Sequence, residues 1–390
     1  MPPTVTTQPP LYDTADAVAR IAAASRRTQQ PQSRADLVSL AMGEPDFDTP
    51  QRVTEAAQAS LGAGRTHYSP LLGEPLLREA LAAKLAGIAQ APVSAADILI
   101  TQGGTAGLAA SILGIVNPGD KVVIPDPTYS LYGDLVAMAG GTVVPVPLAP
   151  DLHWDLDRLA DALADAKLFV FCNPVNPTGI VHSREELEVL ADLLDGTPTI
   201  VISDEAYADL DYTGRPFTSA ISVEGLRERT LYCQTFSKSY AMTGWRVGYL
   251  WGPSPLIQAS ARVHNTFNGS VNTVVQDAAL VAVESCAEDV ARMRAAYEER
   301  REIMRAELTA IPGLTLSAPE GAFYQFPRYD LDLPSVEVVA ALRTTYGVAV
   351  RPGSEFGAQG EHHLRLSYAA GPEAIVEGVR RLADGLAALR

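Results

Sequence analysis

From about Asp97 onward, short apolar runs recur along the chain, each separated from the next by residues with helical spacing. They are Ile98–Thr101, Lys121–Ile124, Thr142–Val144, Leu168–Cys172, Thr199–Ile202, Thr230–Cys233 and Val247–Trp251. Each is near-continuously hydrophobic and rich in β-branched or aromatic residues, as strands covered on both faces must be. Seven such strands with helices between them predict an α/β domain with a mostly parallel seven-stranded sheet sandwiched by helices. Upstream, the Pro- and Thr-rich first dozen residues read as a flexible arm, Thr14–Arg27 as a helix and Leu37–Leu40 as an extended stretch. Downstream, a charged amphipathic run from Glu288 to Ala310 predicts one long helix, stopped by Pro312-Gly313. Short strands and helices then alternate, which predicts a smaller α+β domain built from the C-terminal region and the N-terminal segment.

With 390 residues the chain exceeds what a single core usually organises, so two domains are expected. The expected boundaries are 1–45 for the arm and part of the small domain, 46–287 for the large domain and 288–390 for the small one. A net charge of -16 argues against a nucleic-acid-binding surface, although a basic pocket can sit inside an acidic protein. Three scattered cysteines (Cys172, Cys233 and Cys286) suit neither a disulfide framework nor a zinc site, and no metal is expected. Cys172 and Cys233 lie in apolar runs and read as small buried residues. The N-terminus shows no secretory pattern and no run approaches a membrane span, so the expected location is the cytoplasm.

Ligands of open α/β sheets bind beyond the carboxyl ends of the strands, and the residues there carry chemistry. After Ile98–Thr101 come Gly103, Gly104 and Thr105 at the start of an apolar helix. This is either a plain tight turn or a phosphate cradle of backbone N–H groups with a hydroxyl beside them. After Leu168–Cys172 comes Asn173-Pro174-Val175-Asn176-Pro177-Thr178-Gly179, a loop that its prolines hold rigid. It reads as an ordinary turn or as a support that aims Asn176 at a ring oxygen or a carboxylate. After Thr199–Ile202 come Asp204 and, three residues on, Tyr207. Asp204 is either a helix N-cap or a buried acid that needs a cation, such as a protonated pyridine nitrogen.

After Thr230–Cys233 come Thr235 and Ser237-Lys238-Ser239, with Arg246 two turns further on. A lysine in such surroundings can hold an aldehyde cofactor as a Schiff base, and the arginine can hold its phosphate. Near the C-terminus, strand alternation in His363-Leu364-Arg365-Leu366-Ser367 puts both leucines on one face and Arg365 on the other. Arg365 is a surface arginine or a two-pronged grip for a carboxylate.

These residues carry a resemblance. GEPDF at Gly43–Phe47, GGT at Gly103–Thr105, NPVNPTG at Asn173–Gly179, DEAY at Asp204–Tyr207, FSKSYAMTGWRVGY at Phe236–Tyr249 and LRLSYA at Leu364–Ala369 occur in this order. Together they resemble the class I/II aminotransferases, fold-type I pyridoxal 5'-phosphate enzymes, over nearly the whole chain. The resemblance implies that Lys238 forms the internal aldimine and shuttles the proton, with Asp204 as partner of the pyridinium. It implies that Asn176 and Tyr207 meet the ring's phenolic oxygen and that Tyr129 stacks on the ring. Gly103, Gly104, Thr105, Thr235 and Arg246 would hold the phosphate, Thr235 standing where serine is common. Arg365 matches the clamp for the substrate α-carboxylate, Asn176 stands beside it, and Gly43 is the small residue that lets the carboxylate approach. Tyr68 matches a tyrosine that reaches the neighbouring subunit's phosphate, which implies a homodimer with shared active sites.

The implied reaction is ping-pong transfer of an amino group from an amino acid to a 2-oxo acid. Other pyridoxal-phosphate chemistry on the same scaffold (β- or γ-elimination, synthase or oxidase reactions) is the alternative. Effector-sensing domains of transcription regulators share the fold, but the residues before Gly43 are too few for a DNA-binding domain. Some relatives that prefer dicarboxylic substrates carry a lysine where Thr105 stands, which points here to a neutral or aromatic donor with a dicarboxylic oxo-acid acceptor. Tyr129, Tyr68 and Phe323-Tyr324 are candidate aromatic lining, Phe323 equally a core residue. Arg262 and His264 read as structural or solvated, and Arg351 as a possible substrate contact.

Overall fold

A computed structural model describes residues 13–28 and 34–390 of the chain. The expected N-terminal arm lies outside the described residues. All seven expected strands form and belong to one sheet. They are β1 (Ile98–Thr101), β2 (Lys121–Asp126), β3 (Thr142–Pro147), β4 (Leu168–Cys172), β5 (Ile200–Asp204), β6 (Thr230–Thr235) and β7 (Gly248–Trp251). Their spatial order is β1-β7-β6-β5-β4-β2-β3. Every pair is parallel except the two made by β7, which runs antiparallel to both β1 and β6. The connection from β6 to β7 holds only the short helices Phe236–Ser239 and Thr243–Trp245. It turns back on itself instead of crossing over the sheet, as a parallel return would require.

Burial explains why the strands were legible. Every residue of β1, β4, β6 and β7 is buried. β3 corrects the expectation of cover on both faces, because only Val146 in it is buried. It is one of the two edge strands, and it carries Pro145 and Pro147, whose missing N–H groups an edge tolerates. β5 and β6 also run further than their apolar cores suggest, so Ser203, Asp204 and Thr235 are strand residues.

The long helix runs from Ala287 to Thr309 and the N-terminal one from Asp16 to Ala24. Beyond the long helix, Leu364–Ser367 lies between Tyr324–Gln325 and Arg351–Pro352 in a small antiparallel sheet. The N-terminal segment joins this region: Val38–Ser39 pairs in parallel with Val348–Ala349, and the Ser367 N–H donates to the Leu40 carbonyl at 2.7 Å. The consequence for the site is direct. Residues 41–43 and the 364–367 strand are brought over the carboxyl ends of β4, β5 and β6.

Candidate active site

A cavity of about 510 Å³ opens at those strand ends. It is lined by Gly43, Gly104, Thr105, Tyr129, Asn176, Asp204, Tyr207, Thr235, Lys238, Arg246 and Arg365, among others. These eleven expected cofactor and substrate residues therefore meet in one place, with Tyr324 and Arg351 beside them. A second cavity, about 630 Å³, contains none of them.

At one end of the cavity the helix Gly103–Ile115 begins directly after β1. Gly103 has φ +80°, a left-handed value that suits glycine. A Cβ there would lie 2.6 Å from Arg246 Nη2, so the glycine also admits the guanidinium to the helix start. A Cβ on Gly104 would touch Thr235 at 3.4 Å. Arg246 is held at φ 54° and donates to the Thr243 carbonyl at 2.8 Å. Backbone N–H groups, two hydroxyls and a cation thus converge on a helix N-terminus, the chemistry of an oxyanion or phosphate site. The Gln102 N–H donates to His264 Nε2 at 3.2 Å, so buried His264 anchors the turn from behind, as a structural residue. Arg262 is exposed.

In the middle, the Asp204 carboxylate accepts from the Tyr132 hydroxyl at 2.8 Å and from the Ala206 N–H at 3.3 Å. The local N–H contact expected of a capping aspartate is present, but the tyrosine bond comes from a different element. Burial pushes the Asp204 carboxyl up to about 6, against the pull of Tyr132 and the Ala206 N–H. A buried acid in this state is best served by a cationic partner in the cavity. Tyr207 and Tyr324 share a hydrogen bond of 2.8 Å between their hydroxyls, and burial raises both phenols.

Lys238 sits in the short helix that follows β6, where the Thr235 hydroxyl caps the Ser237 N–H at 3.2 Å. Its Nζ donates to the Gly43 carbonyl at 2.6 Å. Burial, reinforced by the Arg365 charge, lowers the amine to about 8. An amine in that state is available both as nucleophile and as proton carrier.

On the far wall, Arg365 Nη1 donates to Asn176 Oδ1 at 3.1 Å and Nη2 to the Ala41 carbonyl at 2.7 Å. Its Nε is buried and has no partner among the described residues, so the guanidinium retains a donor. The rings of Tyr324 and Phe356 lie 4.4 and 4.9 Å from its central carbon and hold its plane. Gly43 has no room for a side chain: a Cβ would lie 2.1 Å from Tyr324 Oη.

Tyr68 is the predicted residue that does not join the others; it is 98 % exposed and lies outside the cavity. Phe323 is wholly buried core, while Tyr324 lines the cavity. Among the lining residues not singled out from the sequence as site residues are Ser237, Arg27, Glu355 and Cys172. Nor was Tyr132, which has no motif around it. Arg27 pairs with Asp134 at 3.4 Å, and Arg351, also in the lining, pairs with Glu355 at 2.8 Å.

The sequence profile of the family described as aminotransferase class I and II matches residues 35–382. The chain belongs to that family. It is 37 % identical to a probable aspartate/prephenate aminotransferase of Thermus aquaticus, over 94 % of this chain and 96 % of the relative. It is 39 % identical to the aspartate/prephenate aminotransferase of Thermus thermophilus, over 89 % and 90 %. Among solved structures, an aromatic aminotransferase from Pyrococcus horikoshii superposes with a TM-score of 0.88 at 34 % identity, covering 95 % of this chain and 99 % of that one. The protein is accordingly a transaminase acting on amino acids and 2-oxo acids, and its family uses pyridoxal phosphate. Among the described residues no helix is long and apolar enough to cross a membrane.

Proposed function

We propose that this aminotransferase holds pyridoxal 5'-phosphate in the 510 Å³ cavity and that Lys238 is its attachment and proton-transfer residue. The observation that carries the reading is the meeting of the depressed Lys238 amine, buried Asp204 and the Arg365–Asn176 pair around one space. The donor set fits the cofactor: an oxyanion site at Gly103, Gly104, Thr105, Thr235 and Arg246, an acid for a ring nitrogen, and Asn176 and Tyr207 for a phenolic oxygen. Tyr129 lines the same space as the ring's stacking partner. When bound, the cofactor supplies an aldehyde for the lysine and an electron sink for the substrate's Cα.

The chain's own residues do the rest. Arg365, with its free Nε, orients the α-carboxylate, and the bare Cα of Gly43 lets the Tyr324 hydroxyl close the adjoining wall. Lys238 would take up and release the substrate's Cα proton, since its neutral amine is accessible near pH 8. Asp204 would pair with a protonated ring nitrogen of the bound cofactor. The cycle then runs backwards on a second oxo acid.

The acceptor in this reading is a dicarboxylic 2-oxo acid and the donor is neutral or aromatic. Arg27 and Arg351 supply positive charge for a second carboxylate, and Tyr129 and Tyr324 supply aromatic wall. The relatives named for aspartate, prephenate and aromatic substrates are in keeping with that pair. The same proposal covers the boundaries at 45/46 and 287/288, a cytoplasmic location, and a homodimer. Exposed Tyr68, with the exposed side chains of Met42, Leu61, Leu71 and Phe267, supports a second copy covering this surface and receiving Tyr68 in its site.

The test is a half-reaction. Single amino acids are added to cofactor-loaded protein without an oxo acid, while the visible absorption and the released oxo acid are followed. Loss of the visible band with stoichiometric oxo acid is expected, and Lys238→Ala abolishes turnover. Ammonia release, or near-normal turnover of Lys238→Ala, would defeat the reading.

A further inference from the structure

Away from the cavity, three potential metal ligands meet. His153, His182 and Glu186 each offer one ligand atom, all within 4.8 Å of one another. Glu186 Oε1 lies 2.9 Å from His153 Nδ1 and 3.2 Å from His182 Nδ1. A zinc-type ion binds imidazole nitrogen and carboxylate oxygen at about 2.0–2.2 Å, which places neighbouring ligand atoms about 3 Å apart at angles near 90–110°. The two carboxylate–imidazole separations match that spacing, while the two imidazole nitrogens, within 4.8 Å of each other, would have to close to about 3–3.5 Å on an ion that both ligate.

The ligands are also pre-set. The His182 ring is stacked on Trp154, with centroids 3.7 Å apart, and is 2 % exposed. Glu186 Oε2 is fixed by the Ser183 N–H at 2.8 Å in a capping box at the start of the helix Arg184–Leu194. His153 is presented by a tight turn in which Leu152 adopts φ 71° and the Ala149 N–H bonds to the His153 carbonyl at 2.9 Å. Such outer contacts orient ligands and raise affinity. His153 remains partly open, which leaves room for water to complete the coordination.

We propose that His153, His182 and Glu186 bind one divalent transition-metal ion of the zinc type, as a brace between the 148–154 turn and the segment leading into the helix Arg184–Leu194. The brace has a route to the active site. The His182 backbone N–H donates to Asn173 Oδ1 at 2.9 Å, and Asn173 opens the rigid loop that carries Asn176. The ion's role is structural: it ties the outer end of that loop without touching the reacting atoms.

The experiment uses tag-free, cofactor-loaded protein stripped with a chelator and titrated with zinc(II) alone by calorimetry, with melting temperature read in parallel. One ion per chain and a raised melting temperature are expected. His153→Ala and Glu186→Gln, both at partly exposed positions, should each weaken binding at least about tenfold and abolish the thermal shift. His153→Ala should leave metal-free turnover unchanged. No stoichiometric binding, or equal affinity in both variants, would overturn the proposal and leave the cluster as a hydrogen-bonded pair of histidines on one carboxylate.

Discussion

Tyr132 donates its hydroxyl to Asp204 Oδ2 at 2.8 Å, and both groups are buried. The bond favours the ionised carboxylate and so opposes the burial that raises Asp204 to about 6. Tyr132→Phe keeps the ring and removes only that bond. The Asp204 carboxyl should then titrate higher, and the acid limb of the pH–rate profile should move to higher pH. A hydrogen bond to a charged group contributes about 1.5 kcal/mol or more, so kcat/KM should fall about tenfold. An unchanged profile would show that the tyrosine has no part in setting Asp204.

Lys238 offers a second titration. Its amine is lowered from 10.5 to about 8, by burial first and by the Arg365 charge next. In cofactor-stripped protein, the rate of capture of added pyridoxal phosphate should rise through a midpoint near 8 as the neutral amine appears. Arg365→Gln removes a positive neighbour and should move that midpoint upward. A midpoint near 10.5 in the unaltered protein would contradict the depressed amine.

Gly43 and Tyr324 make a steric test. A Cβ on residue 43 would stand 2.1 Å from Tyr324 Oη, the atom that bonds Tyr207. Gly43→Ala should therefore displace Tyr324 and break that bond, lowering kcat/KM by about tenfold or more. Tyr324→Phe deletes the clashing oxygen and leaves the nearest remaining ring atom at 3.1 Å. The double variant should recover part of the loss relative to Gly43→Ala alone. A double variant worse than the sum of the singles would rule out the clash as the cause.

The reach of the sequence follows from where each residue stands relative to a strand. Asp204, Thr235 and Lys238 end or follow strands buried on both faces, whose continuous apolar runs mark their own ends. Arg365 was legible because alternation sets it opposite two leucines in a strand that is wholly buried. Tyr132 was not, since it lies in the helix Leu131–Ala139 and meets Asp204 only through the packing of that helix on the sheet. The reversed direction of β7 was equally hidden, because an apolar run carries no polarity. The histidine cluster joins positions 153 and 182–186, which no metal-ligand spacing relates.

Glu205, next to Asp204, points to the other side of the sheet and tests burial without touching the active site. Its Oε1 accepts from Ser203 Oγ at 2.9 Å, Ser219 Oγ at 2.8 Å and the Ala220 N–H at 3.0 Å, while Oε2 has no partner among the described residues. Burial outweighs these bonds and pushes the carboxyl from 4.5 up to about 7. Between those values the folded protein binds more protons than the unfolded chain, so stability contributed by this group falls as pH rises through the window. The loss is at most about 3 kcal/mol. Glu205→Gln keeps an acceptor for the serines and cannot ionise. Urea midpoints of cofactor-free protein at pH 5 and pH 8 should show a smaller loss of stability in the variant than in the unaltered chain. An identical loss in both would mean that Glu205 stays ionised in the fold, with its second oxygen satisfied by water.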